Sequence, residues 1–366
     1  MSTRLRETVG ALAGLLLATV VWIGAPSVVA AQAPADAAAA FKYLHPLAKD
    51  ERLQVLKREA KREGKAVVYG ALGIDRAQIL IKLFNESYPD VKIDFIRLTL
   101  NELAEKIMLE GRSGRAGADV VITGSDWFGV VSSALGPYEP SAWSVFDPKF
   151  RHGSFDQGWT GVDYEILPEA IAWRTDRVKP GEAPKSLDDI ADAKWKGRLG
   201  TVTNLERVVD RYQALYGEAQ GMAKIQALAA NQSRLYSSIG ALASALGTGE
   251  IDVAWGVGAY RAIGLKSSGA PVDFVFAKPT FAFGLSVSVA KGAQHPYAGA
   301  LFMEFLTLAE TLEKIDKTEP GRLFGHTKGN FVLALKDFPG LIPFESVSPA
   351  RFRELNRIVD QYFVRR

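Results

Sequence analysis

Two short polar loops follow strand-like segments and precede helix-like segments, and both carry groups that bind anions. The apolar segment ADVVIT is followed by Gly124 and Ser125, and the segment RLGTV is followed by Thr203 and Asn204. Hydroxyl and amide side chains, together with the free backbone N–H groups at the start of a helix, bind anions and polar solutes. Arg207, in the first turn of the second helix, either pairs with such an anion or points to solvent. The loops predict an anion site, with simple helix capping by Ser125 as the alternative.

Two further strand ends extend this predicted site. The segment KAVVY is followed by Gly70 and Ala71, for which a plain turn is the alternative. The segment IDVAW ends on Trp255, which would wall the site, and is followed by Tyr260, which is either a phenol donor or a packing residue. The predicted ligand-binding residues are Gly70, Ala71, Ser125, Trp127, Thr203, Asn204, Arg207, Trp255, Tyr260 and Thr280.

The residue types that most enzymes and metal sites require are scarce in this chain. It has no cysteine and four histidines, and no two histidines lie at metal-ligand spacing. Gly256-Val257-Gly258 lacks the third glycine of a dinucleotide-binding loop. No serine has the strand–elbow–helix setting of a hydrolase nucleophile. We therefore predict no enzyme activity, no cofactor and no metal-ligand set, with an exported hydrolase as the rival hypothesis.

Charge and length place the chain among ordinary globular proteins. Lys and Arg number 44 against 41 Asp and Glu, a net charge of +3, which gives no support for nucleic-acid binding. A length of 366 residues favours two domains. No Gly/Ser-rich linker is present, so we expect strands or tight crossings to join them.

The N-terminal segment has the three-part pattern of a secretory signal peptide. Arg4 and Arg6 precede an apolar run at 11–24, and small residues follow to Ala31. The run is marginal for crossing a bilayer, which takes about 20 residues, and an uncleaved anchor is the alternative. We predict a cleaved signal peptide at 1–31, a disordered mature N-terminus to Ala40, and a soluble protein exported to the periplasm.

Strand and helix patterns alternate along the chain. The order β-α-β-α-β over residues 65–123 predicts a parallel sheet covered by helices, with ligands at the carboxyl ends of its strands. Further along, the periodicity predicts helices at 205–219 and 222–230 and a strongly amphipathic helix at 296–309. Gly64 is expected to cap a helix, and Ser186 with Asp189 to form a capping box.

Several segments in this order resemble the solute-binding protein of a bacterial ABC importer, of the two-lobed type II group that includes ferric-iron binders. The resemblance covers residues 52–310, most of the chain that would follow the signal peptide. The matching segments are KAVVY at 65–69, LF at 83–84, YPDV at 88–91, LEG at 109–111, ADVV at 118–121, WRTD at 173–176, PKSLDD at 184–189, KWKGR at 194–198, GEIDVA at 249–254, and HPYA at 295–298 with FL at 305–306.

This resemblance implies two α/β lobes with a ligand cleft between them. Lobe one would comprise residues 32–160 and 278–325, and lobe two residues 161–277 and 326–366, with hinges near 160–170 and 275–282. It also implies a monomer that captures a small polar or anionic solute and delivers it to a membrane permease. Ferric binders use two adjacent tyrosines where this chain has Ala259-Tyr260. Iron held with the help of an anion is therefore the alternative to a purely anionic ligand.

Overall fold

The fold comes from a computed structural model that describes residues 33–113 and 116–365. The predicted signal peptide at 1–31 and the predicted mature start near Ala31 lie outside these residues. Within the described residues, no helix combines the length and the apolar character needed to cross a bilayer.

Local sequence signals set several helix boundaries. The second helix ends at Gly64, whose φ of +72° is the left-handed conformation that glycine adopts without strain. Ser186 Oγ accepts a hydrogen bond from the Asp189 N–H, and the Asp189 carboxylate accepts one from the Ser186 N–H, so the predicted capping box is confirmed. The α-helices of the described residues are α1 Ala37–Leu44, α2 Lys49–Glu63, α3 Ile74–Ser87, α4 Leu100–Ser113, α5 Phe128–Val131, α6 Leu187–Ile190, α7 Glu206–Tyr216, α8 Glu218–Ala230, α9 Ile239–Thr248, α10 Ala259–Ser267, α11 Pro296–Thr307, α12 Ala309–Thr318 and α13 Pro349–Val359.

The strands of the described residues form one continuous hydrogen-bonded array. They are β1 Lys65–Gly70, β2 Lys92–Arg97, β3 Val120–Gly124, β4 Arg151–Ser154, β5 Trp159–Arg174, β6 Leu199–Val202, β7 Arg234–Tyr236, β8 Val253–Gly258, β9 Val272–Phe276, β10 Thr280–Val289 and β11 Leu341–Pro343. The main order is β2-β1-β3-β10-β5-β8-β6-β7. β4 and β9 pair with β5, and β11 pairs with β10.

The array is parallel at both ends and antiparallel in the middle. β1 runs parallel to β2 and β3, and β6 runs parallel to β7 and β8, as the strand–helix alternation predicts. β10 and β5 are antiparallel to each other and to their outer neighbours β3 and β8. These two long central strands therefore join the two parallel groups without a flexible linker.

Separate hydrophobic clusters pack on the two ends of the array. One surrounds β1, β3 and α11, and another surrounds β8, α7 and α8. The strand β5 contributes Val162 and Tyr164 to the first cluster and Ile171 and Trp173 to the second. We call lobe one the elements on the first cluster and on the smaller cluster around Leu103 and Trp127. Lobe two comprises the elements on the second cluster and on the smaller cluster around Leu242 and Val257. The boundaries given above for the two lobes stay a prediction.

The segment 341–359 contacts both lobes. β11 extends the array beside β10, and the Phe344 ring stacks on the Phe281 ring with centroids 5.6 Å apart. In α13, Leu355 packs in the lobe-two cluster, whereas Phe352 meets the Trp127 ring of lobe one edge-on at 5.2 Å. This segment therefore bridges the two lobes.

The predicted disorder up to Ala40 is wrong for its last four residues. Residues 37–40 form the first turn of α1, and Asp36 caps it by accepting a hydrogen bond from the Ala39 N–H at 3.0 Å. Ala40 and Phe41 are fully buried against lobe one, and α1 contacts α11. Alanine is the best helix former, so this composition yields an ordered helix once a packing surface is present.

Two other helix predictions need correction. The predicted helix at 205–219 is interrupted at Gly217, whose φ of +79° separates α7 from α8. The predicted helix at 296–309 ends at Thr307, and it is not amphipathic, because all of its residues are buried. It lies between α2 on one side and β1 and β10 on the other. A helix covered on every side has no need of a polar face.

Candidate functional site

A cavity of about 730 Å³ lies between the lobes, at the carboxyl ends of strands from both parallel groups. Loops after β1 and β2 line it from lobe one, and loops after β6, β7 and β8 line it from lobe two. The crossing strands β5 and β10 form its floor through Glu165, Leu167, Phe283 and Leu285, and Phe352 and Asn356 of α13 add to the wall. This is where open α/β sheets bind their ligands.

Five helices begin at this cavity, and the positive ends of their dipoles give it a positive electrostatic potential. Their first residues or N-caps line it in α3, α4, α7, α9 and α10. Thr99 and Ser238 cap α4 and α9 with side-chain oxygens. The N-caps of α3, α7 and α10 are Gly73, Leu205 and Gly258, which provide no side-chain cap. Each of these three helices presents uncapped backbone N–H groups and the positive end of its dipole to the cavity.

A buried ion-pair cluster lies at the floor of the cavity. Arg322 Nε is 3.0 Å from Glu165 Oε2, and Arg76 Nη1 is 2.8 Å from Glu319 Oε2. Arg76 also contacts Glu165, and Arg322 Nη2 lies 3.3 Å from Glu319 Oε2. Burial, and then the nearby Arg322, lower the pKa of Arg76 to about 10. Two guanidinium groups are thus held close together, and their charge is balanced by two carboxylates.

Tyr260, at the start of α10 in lobe two, packs on this cluster. Its ring lies 4.1 Å from the Arg322 guanidinium. The backbone of Gly321 approaches so closely that a Cβ atom there would lie 2.9 Å from Tyr260 Cα. Gly321 has a φ of +102°, a conformation that other residues rarely adopt. The lobes therefore touch directly at Tyr260, Gly321 and Arg322.

Arg207 is the central cation on the opposite side of the cavity. Its Nη2 lies 3.2 Å from Glu169 Oε1, at the point where β5 enters lobe two. Its guanidinium lies 4.7 Å from the Phe344 ring and 5.2 Å from the Phe283 ring. Planar guanidinium groups bind aromatic faces in this way. Arg207 consequently joins β5, β10 and the bridging segment 341–359.

Three carboxyl groups surround Arg207, and burial shifts all of them toward the neutral form. Burial raises the pKa of Asp126 to about 7, against the opposing effect of Arg207. Burial also raises the pKa of Glu169 and of Glu206, again opposed by Arg207. The positive charge of Arg207 therefore favours the ionised form of all three carboxyl groups, against the effect of burial.

Six of the ten predicted ligand-binding residues line the cavity. They are Ala71, Trp127, Thr203, Asn204, Arg207 and Tyr260. The Thr203 N–H donates to the Tyr236 carbonyl at 3.0 Å, in continuation of the β6–β7 pairing. Contact of these six residues with a ligand stays a prediction.

The other four lie outside the cavity lining. Gly70 packs under Leu72 and Phe95, where a Cβ would come within 2.7 Å of both side chains. Ser125 is 2% exposed and lies beside Gly284. Trp255 is 1% exposed in the lobe-two core, and its indole N–H donates to Ser233 Oγ at 3.0 Å. The Thr280 hydroxyl donates to the Ala277 carbonyl at 2.7 Å. In each case the local environment accounts for the residue by packing or a turn.

The sequence reasoning missed the charged residues that the fold brings to the cavity. Arg76 lies inside a helix, Glu165 inside a strand and Arg322 in a loop, with up to 246 positions of sequence between them. None carries a local motif. The available signal was the presence of three carboxylates, Asp163, Glu165 and Glu169, in one mostly apolar strand, since buried carboxylates need partners.

The structure does bring a serine, an aspartate and a histidine together, although the sequence pattern predicted no such arrangement. His152 Nε2 lies 3.1 Å from Asp163 Oδ2, and the Ser286 hydroxyl donates to Asp163 Oδ1. The aspartate stands between the other two, so the histidine does not activate the serine, and Ser286 is fully buried. A catalytic triad requires the histidine in the middle. This group therefore provides no nucleophile.

No group of three or more His, Asp or Glu side chains suited to a metal ion occurs in residues 33–113 and 116–365. Tyr260 is the tyrosine that lines the cavity, and the Arg322 and Arg261 guanidinium groups lie 4.1 Å and 5.1 Å from its ring. Two neighbouring cations oppose the approach of a bare trivalent ion to this phenol.

Two lobes joined by crossing strands, with a cavity at the strand ends, form an architecture suited to enclosing a solute. Residues 70–313 match the family model of the bacterial extracellular solute-binding proteins, and the chain belongs to that family. Its members are solute-binding transport proteins. No curated protein matches the chain by sequence.

Solved structures of periplasmic binding proteins share the fold. Iron-bound HitA from Pseudomonas aeruginosa is 22% identical, with a TM-score of 0.66 over 81% of this chain and 99% of that chain. AfuA from Actinobacillus pleuropneumoniae, with fructose-6-phosphate bound, is 20% identical, with a TM-score of 0.67 over 83% and 100%. The substrate-binding protein of an ABC transporter from Agrobacterium tumefaciens is 17% identical, with a TM-score of 0.70 over 82% and 94%. The two-lobed type II fold predicted from the sequence is confirmed.

Proposed function

We propose that this protein captures a small organic anion in the cleft between its lobes and delivers it to the permease of an ABC importer. The observation that carries the proposal is the composition of the cavity wall. Five arginines line the cavity beside four carboxylates, and five helix N-termini add positive potential. Two of the carboxylates, Glu165 and Glu319, are already bound to Arg76 and Arg322.

The size of the cavity favours an organic ligand over a simple inorganic ion. At about 730 Å³ it lies within the range of sites for small molecules. Leu167, Phe283 and Leu285 supply apolar surface at its floor, and Trp127 supplies an aromatic wall. A ligand with an anionic group and an uncharged body would use both kinds of surface.

Binding would proceed with closure of the two lobes. A ligand that touches residues of both lobes binds the closed state more tightly and shifts the population toward it. The pairing of β5 is irregular within or at the edge of residues 160–170, since its register with β10 shifts between Asp163 and Glu165 and its register with β8 shifts between Ala170 and Ile171. We propose hinges at 160–170 and 275–282 for this motion.

Ferric iron is the second candidate ligand, because the fold neighbour HitA is an iron-bound protein. A bare ferric ion needs several anionic oxygen ligands, and one phenol does not supply them. Iron carried by an organic anion would meet the same arginines as the anion alone. The hydrolase hypothesis has no comparable support, because His152, Asp163 and Ser286 lie in an unsuitable order.

Export to the periplasm and a monomeric state complete the proposal. The N-terminal pattern at 1–31 supports export, and the family is extracellular by its description. A permease partner follows from the transport role of the family. These points stand as proposals for this chain.

The decisive experiment is native mass spectrometry of the protein purified from the periplasm of the bacterium that produces it. We expect a mass increment that an organic anion accounts for, and its loss after unfolding and refolding. A neutral or cationic solute, or hydrolysis of the bound molecule, would contradict the proposal. A mass increment equal to iron plus an organic anion would instead identify iron carried by an organic anion as the ligand. Uptake of the identified solute should then fail in cells that lack this protein.

A further inference from the structure

The five arginines of the cavity fall into two groups. Arg76, Arg322 and Arg207 are buried and form ion pairs with Glu165, Glu319 and Glu169. Arg97 and Arg261 are exposed, and neither forms an ion pair with the described residues. The buried group maintains the cleft, whereas the exposed group has charge available for a ligand.

The two available arginines come from different lobes. Arg97 is the last residue of β2 in lobe one and immediately precedes the lining loop 98–101. Arg261 is in the first turn of α10 in lobe two, and its guanidinium lies over the Tyr260 ring at 5.1 Å. Both line the same cavity. Tyr260 therefore orients one arginine of the pair, and the strand end positions the other.

Like charges on the two walls of an empty cleft repel each other, and this repulsion opposes closure. An anionic group with two negative charges between them would replace the repulsion by two attractions. Guanidinium groups bind tetrahedral dianions such as phosphate esters through paired N–H donors. Closure would then depend on the charge of the ligand and not only on its shape.

We propose that Arg97 and Arg261 clamp a doubly charged anionic group of the ligand, one from each lobe, and that this clamp drives closure. The inference rests on the proposed function, because it names the part of the ligand that this cleft recognises. Asp75, an exposed carboxylate of the lobe-one wall in the first turn of α3, opposes the clamp. Removing its charge should therefore strengthen anion binding.

The test measures the distance between the lobes with sulfate as the probe. The chain has no cysteine, so Glu86→Cys on α3 and Gln220→Cys on α8 give two unique labelling sites. Pulsed electron–electron double resonance would measure the distance between spin labels at these two sites, starting from the ligand-free protein. Sulfate is compared with chloride at equal ionic strength, which keeps general screening constant.

We expect sulfate, and not chloride, to shorten the distance in the parent protein. Arg97→Gln and Arg261→Gln should each raise the sulfate concentration for half-closure by about tenfold or more, since each removes one hydrogen-bonded charge. Arg112→Gln is the matched control, because Arg112 is exposed on α4 outside the cavity lining. Asp75→Asn should lower the sulfate concentration required.

The clamp is rejected if sulfate acts no differently from chloride, or if the Arg97 and Arg261 variants respond as the Arg112 variant does. These outcomes leave the proposed function intact if mass spectrometry still identifies an organic anion. A neutral ligand in the native protein would reject both.

Discussion

Replacing Arg207 by methionine should destabilise the ligand-free protein in a way that depends on pH. Methionine keeps an unbranched apolar side chain between Phe283 and Phe344 but removes the charge next to Glu169. A buried carboxylate that loses its partner either stays ionised at high cost or takes up a proton. For Glu169, taking up a proton costs less free energy than staying ionised.

The magnitude follows from the cost of protonating Glu169. A glutamate in the unfolded chain has a pKa of about 4.3, so keeping it neutral in the folded protein costs up to about 3.7 kcal/mol at pH 7. Burial has already raised its pKa in the wild-type protein, so part of that cost is already present. We expect a loss of about 1–3 kcal/mol at pH 7. The folded-state pKa lies above the unfolded value, so the loss grows as pH rises, by up to about 1.4 kcal/mol per pH unit.

Urea unfolding at pH 5.5, 7 and 8.5, followed by circular dichroism, measures this loss. Arg207→Lys is the matched control, because lysine keeps the charge but cannot stack as a planar group. It should lose stability by an amount that changes little with pH. The same loss for Arg207→Met at all three pH values would refute the role given to the carboxyl groups.

Three other outcomes follow from the same structure. The stability advantage of Asp126→Asn over the wild type should grow by about 2 kcal/mol between pH 5 and pH 7 and change little above pH 7, because in this range the unfolded chain ionises Asp126 while burial keeps it neutral in the folded protein, up to its pKa of about 7. Thermal melts at pH 5, 7 and 8 test this. Adding ferric salt should give no visible charge-transfer band, and a band that disappears in Tyr260→Phe would restore the iron hypothesis. Gly321→Ala should destabilise the protein more than Gly64→Ala in urea unfolding, because both positions have positive φ but only the first would press a Cβ against Tyr260. Equal losses would mean that the lobe contact contributes nothing.

Most of the strands and helices of this fold could be predicted from local sequence. The apolar strand around Val120 and the helix end at Gly64 depend on periodicity and backbone conformation, which neighbouring residues determine. Apart from the break at Gly217, whose positive φ is a local feature, the failures came from tertiary packing. Ala40 is ordered because lobe one covers it, and α11 is buried all around because α2 shields its outer side. Neither fact can be deduced from a single segment.

The candidate site was predictable only in part, for a similar reason. Thr203 and Asn204 follow a strand and precede a helix, so topology alone places them at the cavity. The same rule failed for Trp255, because it lies within β8 rather than after it and points into the core. Arg76 and Arg322 reach the cavity by long-range packing that no local pattern encodes.

The bridging segment 341–359 has a consequence for the order in which the molecule assembles. Phe352 and Asn356 complete a cavity whose opposite wall begins at Ala71, so the cavity requires contacts between segments about 280 positions apart. Contacts of such long sequence separation form slowly, because the chain between them must first lose its freedom. Each lobe can condense around its own cluster before this happens. The ability to hold a ligand therefore arises last, when an otherwise folded chain docks its α13 against Trp127.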